Sequence, residues 1–201
     1  MSLRLLKNYH LSISDARFSG FQVFRGCKFA DEIFLIRRLR LKFIQMSETD
    51  EFWIREAISA ARKASDLGKV PVGACLISEH GEAIATAFNR TITDNDPTAH
   101  AELIALREAA GRIGNYRLTG TTMYTTIEPC VMCAGALVNA RVKRLVFGAF
   151  DERFGAVETL FRLCDHDLLN HRLEISSGIL AEECRALMQD FFREKRAETR
   201  L

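Results

Sequence analysis

Several things are missing from this 201-residue chain, and each absence removes a class of protein. No stretch approaches the roughly 20 uncharged apolar residues that span a bilayer, so an integral membrane protein is not expected. The first eleven residues carry charges among their apolar side chains and lack the long apolar run of a secretory signal. Close cysteine spacing is also scarce. Of the six cysteines, Cys27, Cys75, Cys130, Cys133, Cys164 and Cys184, only Cys130 and Cys133 are near neighbours. A chain this long, 48% hydrophobic, can build a core without disulfide staples. A reducing cytoplasm with free or metal-bound thiols is the expectation. There is no internal repeat and no low-complexity segment.

Bulk charge is lacking too. The net charge is only +2, and it is unevenly held. Residues 1–45 contain nine basic and three acidic side chains, a balance of +6 that leaves −4 for the remainder. A nucleic-acid partner for the main body therefore needs a local basic patch rather than overall charge. This contrast, with a loss of clean periodicity, sets a boundary near Met46. Residues 1–45 admit three readings: an extension upstream of a misassigned start with Met46 as the true start, a disordered or weakly helical basic arm that touches RNA, or a targeting segment. Residues 46–201 form the expected folded domain.

From Ser47 onward the pattern is regular. Ser47-Glu48-Thr49-Asp50 reads as a helix start, with acidic residues at the positive helix end. Phe52, Trp53, Ala57, Ala60, Ala61, Ala64 and Leu67 follow at helical spacing up to Gly68. Residues 72–77 and 83–88 are apolar runs around a glycine-bearing turn, a hairpin. Thr98 is placed as the cap of a helix ending at Gly111. The β-branched run 121–127 predicts a strand, Pro129 opens the next helix, and 144–148 is a further strand. Residues 150–170 read as irregular or partly helical, 173–175 as a short strand, and a last helix starts near Ala181 with Cys184, Leu187, Met188 and Phe191 on one stripe. Five strands alternating with helices predict a mixed sheet covered by helices on both faces, a three-layer α-β-α sandwich of the α/β class.

Two clusters carry chemistry, His100-Ala101-Glu102 and Pro129-Cys130-Val131-Met132-Cys133, each at an expected helix start. Positions three apart on a helix share a side, and a helix N-terminus favours the thiolate. One imidazole and two thiolates make three zinc ligands and leave a fourth position open, as in catalytic rather than structural zinc sites. Glu102 supplies a carboxylate to move protons. Taken singly these signals are weak. Cys-x-x-Cys alone fits a thiol–disulfide oxidoreductase equally well, and Glu102 alone fits a first-turn acid. The conjunction of H-x-E with P-C-x-x-C, 30 positions from His100 to Cys130, is the signature of zinc nucleobase deaminases.

Around those clusters the text resembles the bacterial tRNA adenosine deaminase family, within the cytidine-deaminase-like superfamily. The likeness runs from about Met46 to Arg196. It includes Val70-Pro71-Val72-Gly73-Ala74, Asn89-Arg90, Asp96 through Glu102, Asn115 through Leu118, Glu128 through Gly135, Val146 through Ala149, Asn170-His171-Arg172 and Asp190 through Arg193. The resemblance implies a cytidine-deaminase-like fold and one Zn2+ per subunit held by His100, Cys130 and Cys133. It implies that Glu102 shuttles protons while water converts adenosine to inosine in a tRNA anticodon loop. It further implies a homodimer, a cytoplasmic location and no membrane.

Asn89 would hydrogen-bond a flipped base, and its alternative is a turn-forming Asn. Ala101 and Pro129 would flank the base, with a helix-opening proline as the plainer reading of Pro129. Asp151 and Arg153 would meet the RNA backbone or sugar. Phe192 and Arg196 would offer stacking and phosphate contact, against a core or solvated-face reading. Phe150 stands where a basic residue is expected. His10, His80, His166 and His171 lack metal-like spacing, and Cys75, Cys164 and Cys184 read as buried thiols. The rival readings are a deaminase of a free base or nucleotide, such as guanine or cytidine, the oxidoreductase, and a catalytically silent tRNA-binding subunit.

Overall fold

The computed structural model describes residues 48–198. The readings of residues 1–45 and of Cys27 and His10 lie outside the described residues. Helix α1 covers residues 48–66. It is followed by β1 (Gly73–Ile77), β2 (Ala83–Phe88), α2 (Ala101–Ile113), β3 (Thr122–Ile127), α3 (Val131–Asn139), β4 (Arg144–Ala149), β5 (Glu174–Ser177) and α4 (Ala181–Glu198). The strands form one five-stranded sheet in the order β2-β1-β3-β4-β5. β1 is antiparallel to both β2 and β3, whereas β3, β4 and β5 run parallel. The sheet is mixed, as expected. No helix is long and apolar enough to cross a membrane among the described residues.

Strand side chains alternate between faces, and the two faces build two cores. Ala74, Leu76, Met123, Leu145 and Phe147 pack with Leu103, Leu106, Leu137 and Val138 of α2 and α3. Cys75, Ile77, Tyr124 and Val146 pack with Ile54, Ala57 and Ile58 of α1 and Cys184 of α4. Every residue of β1 is buried, which is what a strand covered on both faces requires. The described residues thus form the three-layer sandwich the alternation predicted.

Some local expectations shift. On α1 the residues that face the sheet are Ile54, Ala57, Ile58, Ala61 and Ala64, while Phe52 and Leu67 are exposed. Asp50 is not merely a helix-end acid. It is buried, takes both guanidinium nitrogens of Arg144 at 2.8 and 2.7 Å, and accepts the Tyr124 hydroxyl at 2.9 Å. That network ties α1 to β3 and β4. Thr98 does not cap α2. Its N–H and hydroxyl both bind Asp96 Oδ1, and His100 occupies the cap position. The helix also runs past Gly111 to Gly114, whose φ of +70° provides the left-handed stop. Pro129 precedes rather than opens α3, whose cap residue is Cys130. Residues 150–170 form turns without a helix.

Candidate metal and active site

The parallel strands β3 and β4 end on the same side of the sheet, where α/β folds bind ligands. The segment after β3 delivers Cys130 and Cys133 at the N-terminus of α3. The segment after β4 delivers Asp151 and Arg153. The N-terminus of α2 brings in His100 and Glu102.

His100 Nδ1 lies 3.7 Å from Cys130 Sγ and 3.6 Å from Cys133 Sγ, and all three ligand atoms lie within 4.8 Å of one another. Zinc bonds of about 2.0–2.1 Å to nitrogen and 2.3 Å to sulfur, at tetrahedral angles, require an N···S edge of about 3.6 Å. The trio fits that ion. The thiol electrostatics agree. Cys130 is pulled down to about 4, chiefly by the hydrogen bond with Cys133 and then by His100. Cys133, fully buried, is pushed up, first by the neighbouring Cys130 sulfur and then by burial. A lowered thiol beside an imidazole is the kind of ligand a dication takes up. His100 is raised, chiefly by its hydrogen bond to Cys130 against the opposing effect of burial.

Glu102 is 2% exposed, and its Oε2 has no hydrogen-bond partner. Burial raises its carboxyl above the ordinary range, more than its own backbone N–H and His100 pull it down. A buried carboxylate with a bare oxygen beside metal ligands is poised to exchange protons.

His100, Cys130 and Glu102 line a cavity of about 760 Å³, whereas Cys133 is fully buried and is not among its lining residues. Of the residues singled out in the sequence, His100, Glu102, Cys130, Asn89, Asp151, Arg153, Phe192 and Arg196 all reach it. Ala101 and Pro129 are buried and are not among its lining residues. Ala101 contributes its backbone instead. Its N–H donates to Asn89 Oδ1 at 2.9 Å, which caps α2 and fixes the Asn89 amide. Phe192 is 40% exposed and so is not core, and Arg153 and Arg196 are exposed at the mouth. Sequence reasoning missed Glu128, Phe154, Met188 and Gln189, which also line the cavity. Phe154 is exposed, Met188 was read only as part of a core stripe, and Glu128 gave no signal beyond an acid between a strand and a proline.

Cys75, Cys164 and Cys184 are buried free thiols, as expected. His80 and His166 are exposed, and His171 Nε2 meets the Val142 carbonyl at 2.7 Å in a structural contact. A second depression of about 500 Å³, between α2 and α3, lacks any cluster of ligating groups.

Fold and site together define a zinc-dependent deaminase. Residues 47–149 match the family of the cytidine and deoxycytidylate deaminase zinc-binding region. The chain is 48% identical over 155 residues to the tRNA-specific adenosine deaminase of Haemophilus influenzae, covering 77% of this chain and 90% of that protein. It is 47% identical over 147 residues to the tRNA-specific adenosine deaminase of Bacillus subtilis, covering 73% and 91%. Among solved structures, a tRNA:A34 deaminase studied for A-to-I editing at the wobble position superposes with a TM-score of 0.65 at 39% identity, over 68% of this chain and 98% of that one. The guanine deaminase of Nitrosomonas europaea shares the fold at a TM-score of 0.61 and 24% identity, over 70% of this chain and 83% of that one. The chain belongs to the tRNA-specific adenosine deaminase family. The oxidoreductase reading of Cys130 and Cys133 is set aside, because both sulfurs converge on His100.

Proposed function

We propose that this protein hydrolyses adenosine to inosine at the wobble position of a tRNA anticodon loop. One observation carries the chemistry: His100 and Cys130 of a zinc-fitting His/Cys/Cys trio open into the same cavity as Glu102, a buried carboxylate with one bare oxygen. Zinc held by His100, Cys130 and Cys133 would supply Lewis-acid activation of water at neutral pH. Glu102 then takes the proton from water, places it on the purine ring nitrogen, and passes one to the departing amine. Water adds at C6, the C6–N bond breaks, and ammonia leaves. Asn89, whose Oδ1 is committed to Ala101, keeps its amide N–H groups for the base. A base already unpaired in a loop costs least to flip into such a cavity. At the mouth, Arg153 and Arg196 answer the need for a local basic patch, and Phe192 offers a stacking face. Asp151 spends Oδ1 on the N–H groups of Arg153 and Phe154, at 2.9 and 3.1 Å, so its part is to shape the rim.

The decisive assay uses zinc-loaded protein and an anticodon stem-loop RNA bearing wobble adenosine, run beside free adenosine, cytidine and guanine. Inosine in the RNA is the expected product. Turnover of a free base or nucleoside with none of the RNA would replace this reading by the small-substrate one. Chelation should abolish turnover, and one zinc per chain should restore it.

The domain carrying this activity is residues 46–201, and its working form is a homodimer in the cytoplasm. Exposed Tyr116, Val131, Leu160 and Phe161 supply apolar surface of the kind subunit contacts cover, and the described free thiols suit a reducing compartment. Light scattering at micromolar concentration tests the dimer, which a monomer mass would refute.

A further inference from the structure

The segment 151–159 carries Asp151, Arg153 and Phe154 to the cavity mouth without a helix or strand to support it. Its support comes from one side chain. Glu128, 2% exposed, accepts the N–H of Val157, Glu158 and Thr159 on Oε1 at 3.0, 2.8 and 3.0 Å. Its Oε2 accepts the Asp151 N–H at 3.2 Å and the Thr159 hydroxyl. The carboxylate therefore grips both ends of the segment, and Asp151 grips the part between them. The fit leaves no room: a Cβ on Gly155 would lie 2.3 Å from Glu128 Oε2 and 2.5 Å from the Asp151 carbonyl. Glu128 is also two positions before Cys130, so one short stretch of chain fixes both the metal ligand and the rim.

From this geometry we infer that Glu128 is a positioning residue for the nucleic acid. It holds the 151–159 rim at a set distance from the metal site, so that Arg153 meets a phosphate beside the flipped base. The inference rests on the RNA-editing reading above. It assigns Glu128 no contact with the reacting atoms.

The test measures binding rather than turnover. The parent is the full zinc-loaded chain carrying Glu102→Ala, titrated against a labelled anticodon stem-loop by fluorescence anisotropy over a salt series. Each phosphate contact to a single strand contributes about 0.7 to the slope of log affinity against log salt. Arg153→Ala should lower the slope by about that amount and weaken binding about 5- to 10-fold. Glu128→Gln, which turns an amide NH2 towards the loop's own donors, should do the same. The double variant should bind no worse than the weaker single, because both remove one contact. Thr159→Val, which deletes only the hydroxyl donor, should weaken binding about 2-fold in the same direction, and it carries the test should Glu128→Gln fail to fold. Effects that multiply in the double variant overturn the inference. So does an unchanged slope in Glu128→Gln, or an Arg153→Ala chain that binds as the parent does. A parent that binds no stem-loop at all defeats the RNA reading itself, a result distinct from any of these.

Discussion

Glu102 and Glu128 line the same cavity and are equally buried, each 2% exposed, yet their surroundings are opposite. Glu102 has a bare Oε2 and is raised by burial. At Glu128 burial pushes the same way but is overcome by the N–H groups of Glu158 and Thr159 and the Thr159 hydroxyl, which hold the carboxyl below its ordinary range. Burial alone therefore says nothing about what a carboxylate is for. The count of donors around it does. A carboxylate ringed by donors is part of the scaffold's hydrogen-bond accounting. One left short of donors costs stability and is kept where protons must move.

The contrast breaks most visibly through Glu102. Glu102→Gln should retain one zinc per chain and lose about 100- to 10,000-fold in kcat, measured by single-turnover inosine formation. Its urea midpoint should be unchanged or higher, since a buried acid short of a partner is removed. A large loss of stability there would mean Glu102 is scaffold as well. The next effect belongs to Glu128. Glu128→Gln should lower unfolding free energy by about 2–3 kcal/mol, because backbone donors lose a charged acceptor and face an amide NH2. Equilibrium urea unfolding of the zinc-loaded protein measures it, and a stability-neutral variant would show that the loop does not depend on the carboxylate.

How much of this was legible beforehand follows the range of the interactions. The metal trio and Glu102 could be read because H-x-E and P-C-x-x-C each lie within a helical turn, and only their meeting needed the fold. The layers could be read because strands alternate with helices along the chain and α4 keeps its stripe. The start of α2 was misplaced because its cap comes from Asn89, twelve residues upstream, while Thr98 is drawn into a turn with Asp96. Phe52 falls at the apolar helical spacing, yet it is exposed, and Ile54 and Ile58 face the sheet. The Asp50–Arg144 pair spans 94 positions and the Glu128 bonds span 23 to 31, separations at which a single sequence carries no periodic signal.

The comparison extends to thiols. Burial is the chief cause that raises Cys75 to about 11 and Cys164 and Cys184 to about 12. Like Glu102, they are acids whose charged form the interior does not support. An unfolded thiol titrates near 8.5. Between about pH 8.5 and 11 the unfolded chain therefore releases protons that the folded chain keeps. Stability from these groups is full below that window and declines as pH rises through it, each thiol adding up to about 1.4 kcal/mol per pH unit. Tyr124, raised mainly by burial and then by Asp50, acts in the same direction at higher pH. The urea midpoint should fall steadily from pH 8 to pH 10. In native protein at pH 8 the three thiols should resist alkylation, whereas chelation should expose Cys130, half-buried and drawn towards the thiolate by Cys133 and His100, to rapid reaction. Equal alkylation rates at Cys130 and Cys75 after chelation would mean that burial does not govern these sulfurs.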